Sequence, residues 1–192
     1  MQIGKTLYVH TRKAWRSWLR AHHATEKEIW LIYYKKQSGK PRIPYNDAVE
    51  EALCYGWIDS IVKPVDGEKY AQRFSPRKPK AKWSPMNIER MRRLIRKKKV
   101  TRAGIEAAKD ILGTLRRTQK GKGERVKVPS DILNALKNDP ITWKNFRRFP
   151  ESYKRIRVGW IDGARSRPEV FQQRLRYFLK MTARNKRFGM VQ

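Results

Sequence analysis

Cys54, three histidines and a few carboxylates are the side chains in this sequence that could do covalent or acid–base chemistry. A thiol becomes a nucleophile when a base takes its proton, and His10, His22 or His23 could serve Cys54, with Glu50 or Asp59 orienting the imidazole. Against this, Cys54 closes a helical stretch that faces tryptophan-rich sequence, and free cysteine mostly behaves as a small buried hydrophobe. Glu50 and Glu51 are adjacent on that stretch, so they point in different directions and make no paired acid–base site. Three histidines are too few for a histidine metal cluster, a single cysteine excludes a disulfide within the chain and argues against thiolate zinc, and no glycine-rich phosphate loop precedes a helix. These residues imply no cofactor and point to binding rather than catalysis. An enzyme of unknown reaction at Cys54–Ser60 stays open as an alternative.

Charge says what would be bound. Lysine and arginine number 47 against 17 aspartate and glutamate, a net charge of +30, so the chain's field attracts anions: RNA, DNA or an acidic protein. The excess is uneven. Residues 1–72 carry 12 basic and 8 acidic side chains, whereas residues 73–99 carry 12 basic and one acidic. Within the latter, RFSPRKPKAKWSPMN places Arg73, Arg77, Lys78, Lys80 and Lys82 where they could grip a phosphate backbone while Trp83 stacks on a base. Arg92, Arg93 and Arg96 follow on a helix and extend the same basic surface. The competing reading makes Phe74 and Trp83 anchors that pin the arm to the core, with the charges only solvating it. No apolar run approaches the roughly 18 residues of a membrane span, and Met1–Val9 lacks the apolar region of a signal peptide, so a cytoplasmic location is expected.

The 192 residues suffice for one core with a small helical unit, and an aromatic share of 11% is too rich for a disordered basic chain. Thr6–Val9 alternates as a short strand, and Thr11 is placed to cap a helix whose apolar face is Trp15, Trp18, Leu19 and His22. Glu28–Lys36, rich in aromatic and β-branched residues, is expected to be a central strand. Tyr45 or Asn46 can cap the next helix, which Gly56 stops. Trp57–Val65 and Lys69–Phe74 then form a hairpin, for which Asp66-Gly67 predicts a type I′ turn. Ser75–Lys82 reads as an extended surface arm, Ser84-Pro85 as a helix start with the stripe Ile88, Met91, Leu94 and Ile95, and Thr101 as another cap. Residues 114–128 show no apolar period and read as a linker; beyond them Pro129-Ser130, Thr142 and Pro168 open helices. Gly-Trp-Ile-Asp occurs at 56–59 and again at 159–162 in unlike surroundings, so no repeat is inferred. The pattern is an α+β protein: a small antiparallel sheet with packed helices over 1–113, a basic linker at 114–126 and a C-terminal helical module over 127–192. Nothing in the sequence sets the oligomeric state.

Three segments, WRSWLRAHHATEKEIWLIYYKK, YNDAVEEALCYGWIDS and RFSPRKPKAKWSPMN with its helix, together resemble the YdeI/OmpD-associated family, or bacteriocin-protection proteins. The resemblance covers residues 6–113 in order and extends more loosely over VPSDILNAL to FPESYKRIRVGWIDGARSRPEVFQQRL. Ser166-Arg167-Pro168 and the basic linker depart from the family's pattern. The resemblance implies a stress or antimicrobial-resistance accessory protein that acts by binding, and it brings no reaction and no cofactor. Matching positions suggest a pocket with Trp57 and Trp83 as walls, Asp59, Ser60 and Arg77 as polar groups, and Cys54 beside them.

Overall fold

The computed structural model describes residues 2–113 and 125–189, so most of the expected linker lies outside the described residues. The chain divides into two compact units, one of Met1–Lys82 and Arg90–Gly113, the other of Trp83–Glu89 and Thr114–Gln192. The arrangement is α+β, with the strands all in the first unit.

In the first unit, β1 (Thr6–Leu7), β2 (Ile29–Tyr34), β3 (Trp57–Pro64) and β4 (Lys69–Pro76) form one sheet in the order β1-β2-β4-β3. β2 is internal, as its apolar composition requires. The sheet is mixed rather than wholly antiparallel, because β1 pairs parallel with β2. An 11-residue helix, α1 (Arg12–His22), lies between those two strands in the chain and supplies the crossover that parallel pairing needs. Thr11 caps α1 as expected, its hydroxyl accepting from the Ala14 N–H at 3.1 Å. The β3–β4 hairpin forms, but neither Asp66 nor Gly67 has positive φ, so the turn is not type I′. Asp66 Oδ1 instead accepts the N–H groups of Glu68 and Lys69, at 2.9 and 3.0 Å, and closes a wider loop with its side chain.

Helix α2 (Tyr45–Cys54) begins after Pro44, which holds the cap position, so neither Tyr45 nor Asn46 is the cap. Trp15 of α1 and Phe74 of β4 meet edge to face at 5.4 Å between the two layers. The three fully buried tryptophans each place their indole N–H: Trp15 on the Ala48 carbonyl, Trp57 on the His23 carbonyl, Trp30 on Glu28.

Arg12 joins α1 to α2 by charge. Its Nε donates to Glu51 at 2.5 Å, one terminal nitrogen to Asp47 at 2.9 Å and the other to Glu50 at 3.0 Å. Arg16 takes the second oxygen of Glu51 and Arg93 the second oxygen of Glu50. Glu50 and Glu51, read from sequence as diverging, therefore converge on one guanidinium, and all four of their oxygens accept from arginine. Burial opposes the Arg12 charge, but its hydrogen bonds and attraction to Glu51 and Glu50 prevail, so its pKa lies above the ordinary value.

α3 (Pro85–Arg96) starts as expected, with Ser84 Oγ accepting from the Asn87 N–H. α4 (Arg102–Ala107) is capped by Thr101. The second unit holds α5 (Ser130–Lys137), α6 (Pro140–Arg148), α7 (Glu151–Asp162) and α8 (Pro168–Ala183), packed around Ile132, Leu136, Phe146, Ile161 and Phe178. The cap of α6 is Asp139, not Thr142. Proline at 140 fits the first helical turn, so the cap falls on the residue before it, and Thr142 hydrogen-bonds back to it.

Replacing Arg12 by Met leaves Glu51, 2% exposed, short of one partner. Chemical denaturation is expected to show a loss of about 3–5 kcal/mol. The double variant Arg12→Met/Glu51→Met should recover part of that loss, and a single variant as stable as the parent would show that the network carries no fold energy.

Candidate functional site

The chain around Gly56 is built to let two helices and a loop meet closely. Gly56 has φ +76°, and a Cβ there would lie 2.9 Å from the Ala103 carbonyl oxygen. At Gly104 a Cβ would lie 2.3 Å from the Cys54 carbonyl oxygen, the same oxygen that accepts the backbone N–H and hydroxyl of Thr101. The start of α4 is thereby fastened to the end of α2. On the other side, the Arg77 N–H donates to the Gly56 carbonyl at 2.9 Å, where β4 leaves the sheet.

A 540 Å³ cavity results. His23, Tyr55 and Trp57 wall one side, the Pro76–Lys80 loop another, and Ala103, Ala107 and Asp110 a third. The loop is not the extended arm expected from its prolines. One terminal nitrogen of Arg77 donates to the carbonyls of Ala81 and Lys82, at 2.6 and 2.7 Å, and Lys80 takes φ +59°. Burial holds the Arg77 pKa below its ordinary value, with the charge of Asp110 acting the other way. Lys78, Lys80 and Lys82 stand exposed on this closed loop. At the rim Lys109 pairs with Glu106.

Of the six residues expected to share a pocket, only Trp57 and Arg77 line this cavity. Asp59 sits opposite Phe74 on the strand and accepts from the Tyr45 hydroxyl at 2.6 Å, while Ser60, one residue on, meets Arg73 at 3.3 Å. Burial first, then the bond to Asp59, pushes the Tyr45 phenol up. Trp83 is buried and belongs to the second unit, which suits an anchor better than a stacking platform. Cys54 has no exposed surface. Sequence reasoning passed over His23 and Tyr55 as cavity residues; Tyr55 stood within the CYGW segment, but His23 carried no signal of it.

The basic candidates separate in the same way. Arg73 is bound to Glu28 through Nε at 2.7 Å and a terminal nitrogen at 2.6 Å, and those bonds hold the Glu28 carboxyl below its usual range. Arg93 is paired with Glu50, and Arg92 is buried. Lys78, Lys80, Lys82 and Arg96 remain exposed. Among the described residues no three His, Cys, Asp or Glu side chains group as a metal site, and no helix is long and apolar enough to cross a membrane.

Burial, then the charge of Glu51, pushes the Cys54 thiol up to about 11. The native thiol should therefore react with a disulfide reagent at pH 8 only as fast as the chain unfolds, and at once in denaturant. Because the folded pKa lies above the unfolded value of about 8.5, the thiol's share of stability is complete below pH 8.5 and fades as pH rises toward 11. Rapid labelling of the folded protein at pH 8 would restore Cys54 as a candidate nucleophile.

Comparison with known families bears on both units. A family described as a domain of unknown function, DUF8412, matches residues 7–107. The family described as Bacteriocin-protection, YdeI or OmpD-Associated matches residues 125–185. The YdeI resemblance is thus matched in the helical part, where it was the looser, and the first stretch answers to a separate family. No curated protein and no solved structure matches the chain. With more than half of its length matched, the chain belongs to the DUF8412 family, and over residues 125–185 it is similar to the YdeI/OmpD-associated family.

Proposed function

We propose that the protein is a cytoplasmic accessory protein that acts by binding an anionic macromolecule, and that nucleic acid is the partner its first unit favours. The observation that carries this reading is the Arg77 clamp. By tying Arg77 to the carbonyls of residues 81 and 82, it closes the loop and holds Lys78, Lys80 and Lys82 outward. None of the three lysines makes an ion pair among the described residues, so their charge is available to phosphates without first breaking an internal bond. The adjoining cavity, which Lys78 and Lys80 help to line, has the volume of a small-molecule site and could take a nucleoside beside the phosphates. Arg73, Arg92 and Arg93, engaged or buried within the protein, are left out of this surface, and Trp83 serves as an anchor.

A protective role of the kind the YdeI/OmpD-associated description names would work indirectly. A chain of net charge +30 repels cationic peptides, so protection would pass through the anionic partner.

Binding of a labelled oligonucleotide, titrated across salt concentrations near physiological, tests the reading. Replacing Lys78, Lys80 and Lys82 together by Gln should weaken binding to all sequences and shallow the log–log salt slope on duplex DNA by up to about 2 to 3 units, with thermal stability unchanged. Indistinguishable slopes would reduce the loop to a solvated surface. Absence of any nucleic-acid binding, with capture of an acidic protein through the same three lysines, would move the reading to that class of partner.

A further inference from the structure

The second unit contains a concave site of its own, unrelated to the lysine loop. Its volume is 520 Å³, within the roughly 300–1,000 Å³ of small-molecule sites. One wall is apolar, made by Val126, Val128 and Leu133 with the rings of Trp143 and Phe146, which stack at 5.9 Å with planes 21° apart. The charged groups are Arg125, Arg147, Glu151 and Lys154.

These four divide into a spent pair and a free pair. Glu151 accepts from Lys154 at 2.7 Å and from the Val126 N–H at 2.8 Å. Lys154 also donates to the Arg147 carbonyl at 3.0 Å and lies over the Phe146 ring at 5.3 Å. Burial works against the Glu151 charge, but the bonds from Lys154 and Val126 hold its carboxyl below the usual range, so the pair is an internal, mutually neutralised brace. Its work is structural, since it fastens residues 126–128 against the start of α7. Arg125 and Arg147 are exposed and make no ion pair among the described residues. The site therefore presents two uncompensated guanidinium groups next to an aliphatic and aromatic wall.

We infer that the cavity between Arg125, Arg147, Trp143 and Leu133 binds a small planar aromatic anion, its ring against the apolar wall and its charged head held by the two arginines. A guanidinium fork suits the paired oxygens of a carboxylate, phosphate or sulfonate, while the half-buried Trp143 ring, with the Lys137 ammonium over it at 5.6 Å, and the side chains of Val126, Val128 and Leu133 give an aromatic group an apolar surface to rest on. The chain's own preceding segment does not complement the site: residues 114–124 carry Arg116, Arg117, Lys120 and Lys122 against Glu124 alone, the same sign as the arginines. The whole site falls within the YdeI/OmpD-associated match. It does not depend on the nucleic-acid reading of the first unit, and the variants that test each are different.

Titration of the full-length protein with anilinonaphthalene sulfonate at physiological salt tests the inference. The probe should fill a saturable class of sites, lost by about tenfold or more in affinity in Arg125→Gln/Arg147→Gln and by less than about twofold in Arg176→Gln/Arg184→Gln, which removes the same charge from exposed positions of the same unit. Thermal melts of both variants check that the fold is kept. Trp143→Ala should weaken the probe as well, with a neutral naphthylamine probe unaffected by the arginine changes. Displacement by adenosine monophosphate assigns the head group to phosphate, and displacement by indole acetate assigns it to carboxylate. Equal loss in the two double variants, or displacement by neither competitor at millimolar concentration, overturns the site.

Discussion

Two adjacent carboxylates taken out of water must each find cations, and the placing of α2 follows from how they do so. Glu50 and Glu51 sit where burial of an unpaired charge would cost several kcal/mol, and the guanidinium of Arg12 reaches both from α1. A planar fork of five donors can do this; an ammonium on a flexible stem could not reach Asp47, Glu50 and Glu51 in one geometry. With α2 fixed against α1, the carbonyl of Cys54 is set where Thr101 can bind it, and the chain must turn through positive φ at Gly56. The cavity walls at Tyr55 and Trp57 are one and three residues downstream of that carbonyl. The charge network thus fixes the cavity from a distance without lining it.

Arginine has two kinds of partner in this molecule, and the difference sorts structure from surface. Arg12, Arg16, Arg73, Arg93, Arg155 and Arg165 meet carboxylates and are neutralised where they stand. Arg174 instead meets a backbone carbonyl, that of Trp160. A carbonyl satisfies the donor and leaves the charge in place. Such a residue shapes a helix end while still contributing to the surrounding field.

Local signals were legible in the sequence and tertiary ones were not. Thr11 and Thr101 as caps, β2 as an internal strand and the stripes of α1 and α3 follow from periods and side-chain chemistry within a few residues. Pro44 and Asp139 as caps, and the Asp66 side chain closing the hairpin, are one-residue matters that the motifs Asn-Asp and Asp-Gly obscure. The opposed surroundings of Asp59 and Ser60 were readable, since neighbours on a strand face opposite sides, and that alone argues against one pocket holding both. Convergence of Arg12 on Glu50 and Glu51, 38 and 39 residues away, has no local trace. The same holds for the clamp of Arg77, which turns a proline-broken basic arm into a closed loop, and for His23, which enters the cavity wall from the far end of α1.

Several carboxylates of the described residues are committed to the fold, Glu50 and Glu51 as buried pairs, Asp139 as a helix cap and Asp66 as the hairpin turn. The 17 carboxylates cannot in any arrangement balance 47 lysines and arginines. In solution the net charge of +30 draws small anions around the molecule, and that ionic cloud weakens the repulsion among its cations. Diluting the salt thins the cloud and strains the folded chain, so the medium in which this protein is kept belongs to the physics of its native state.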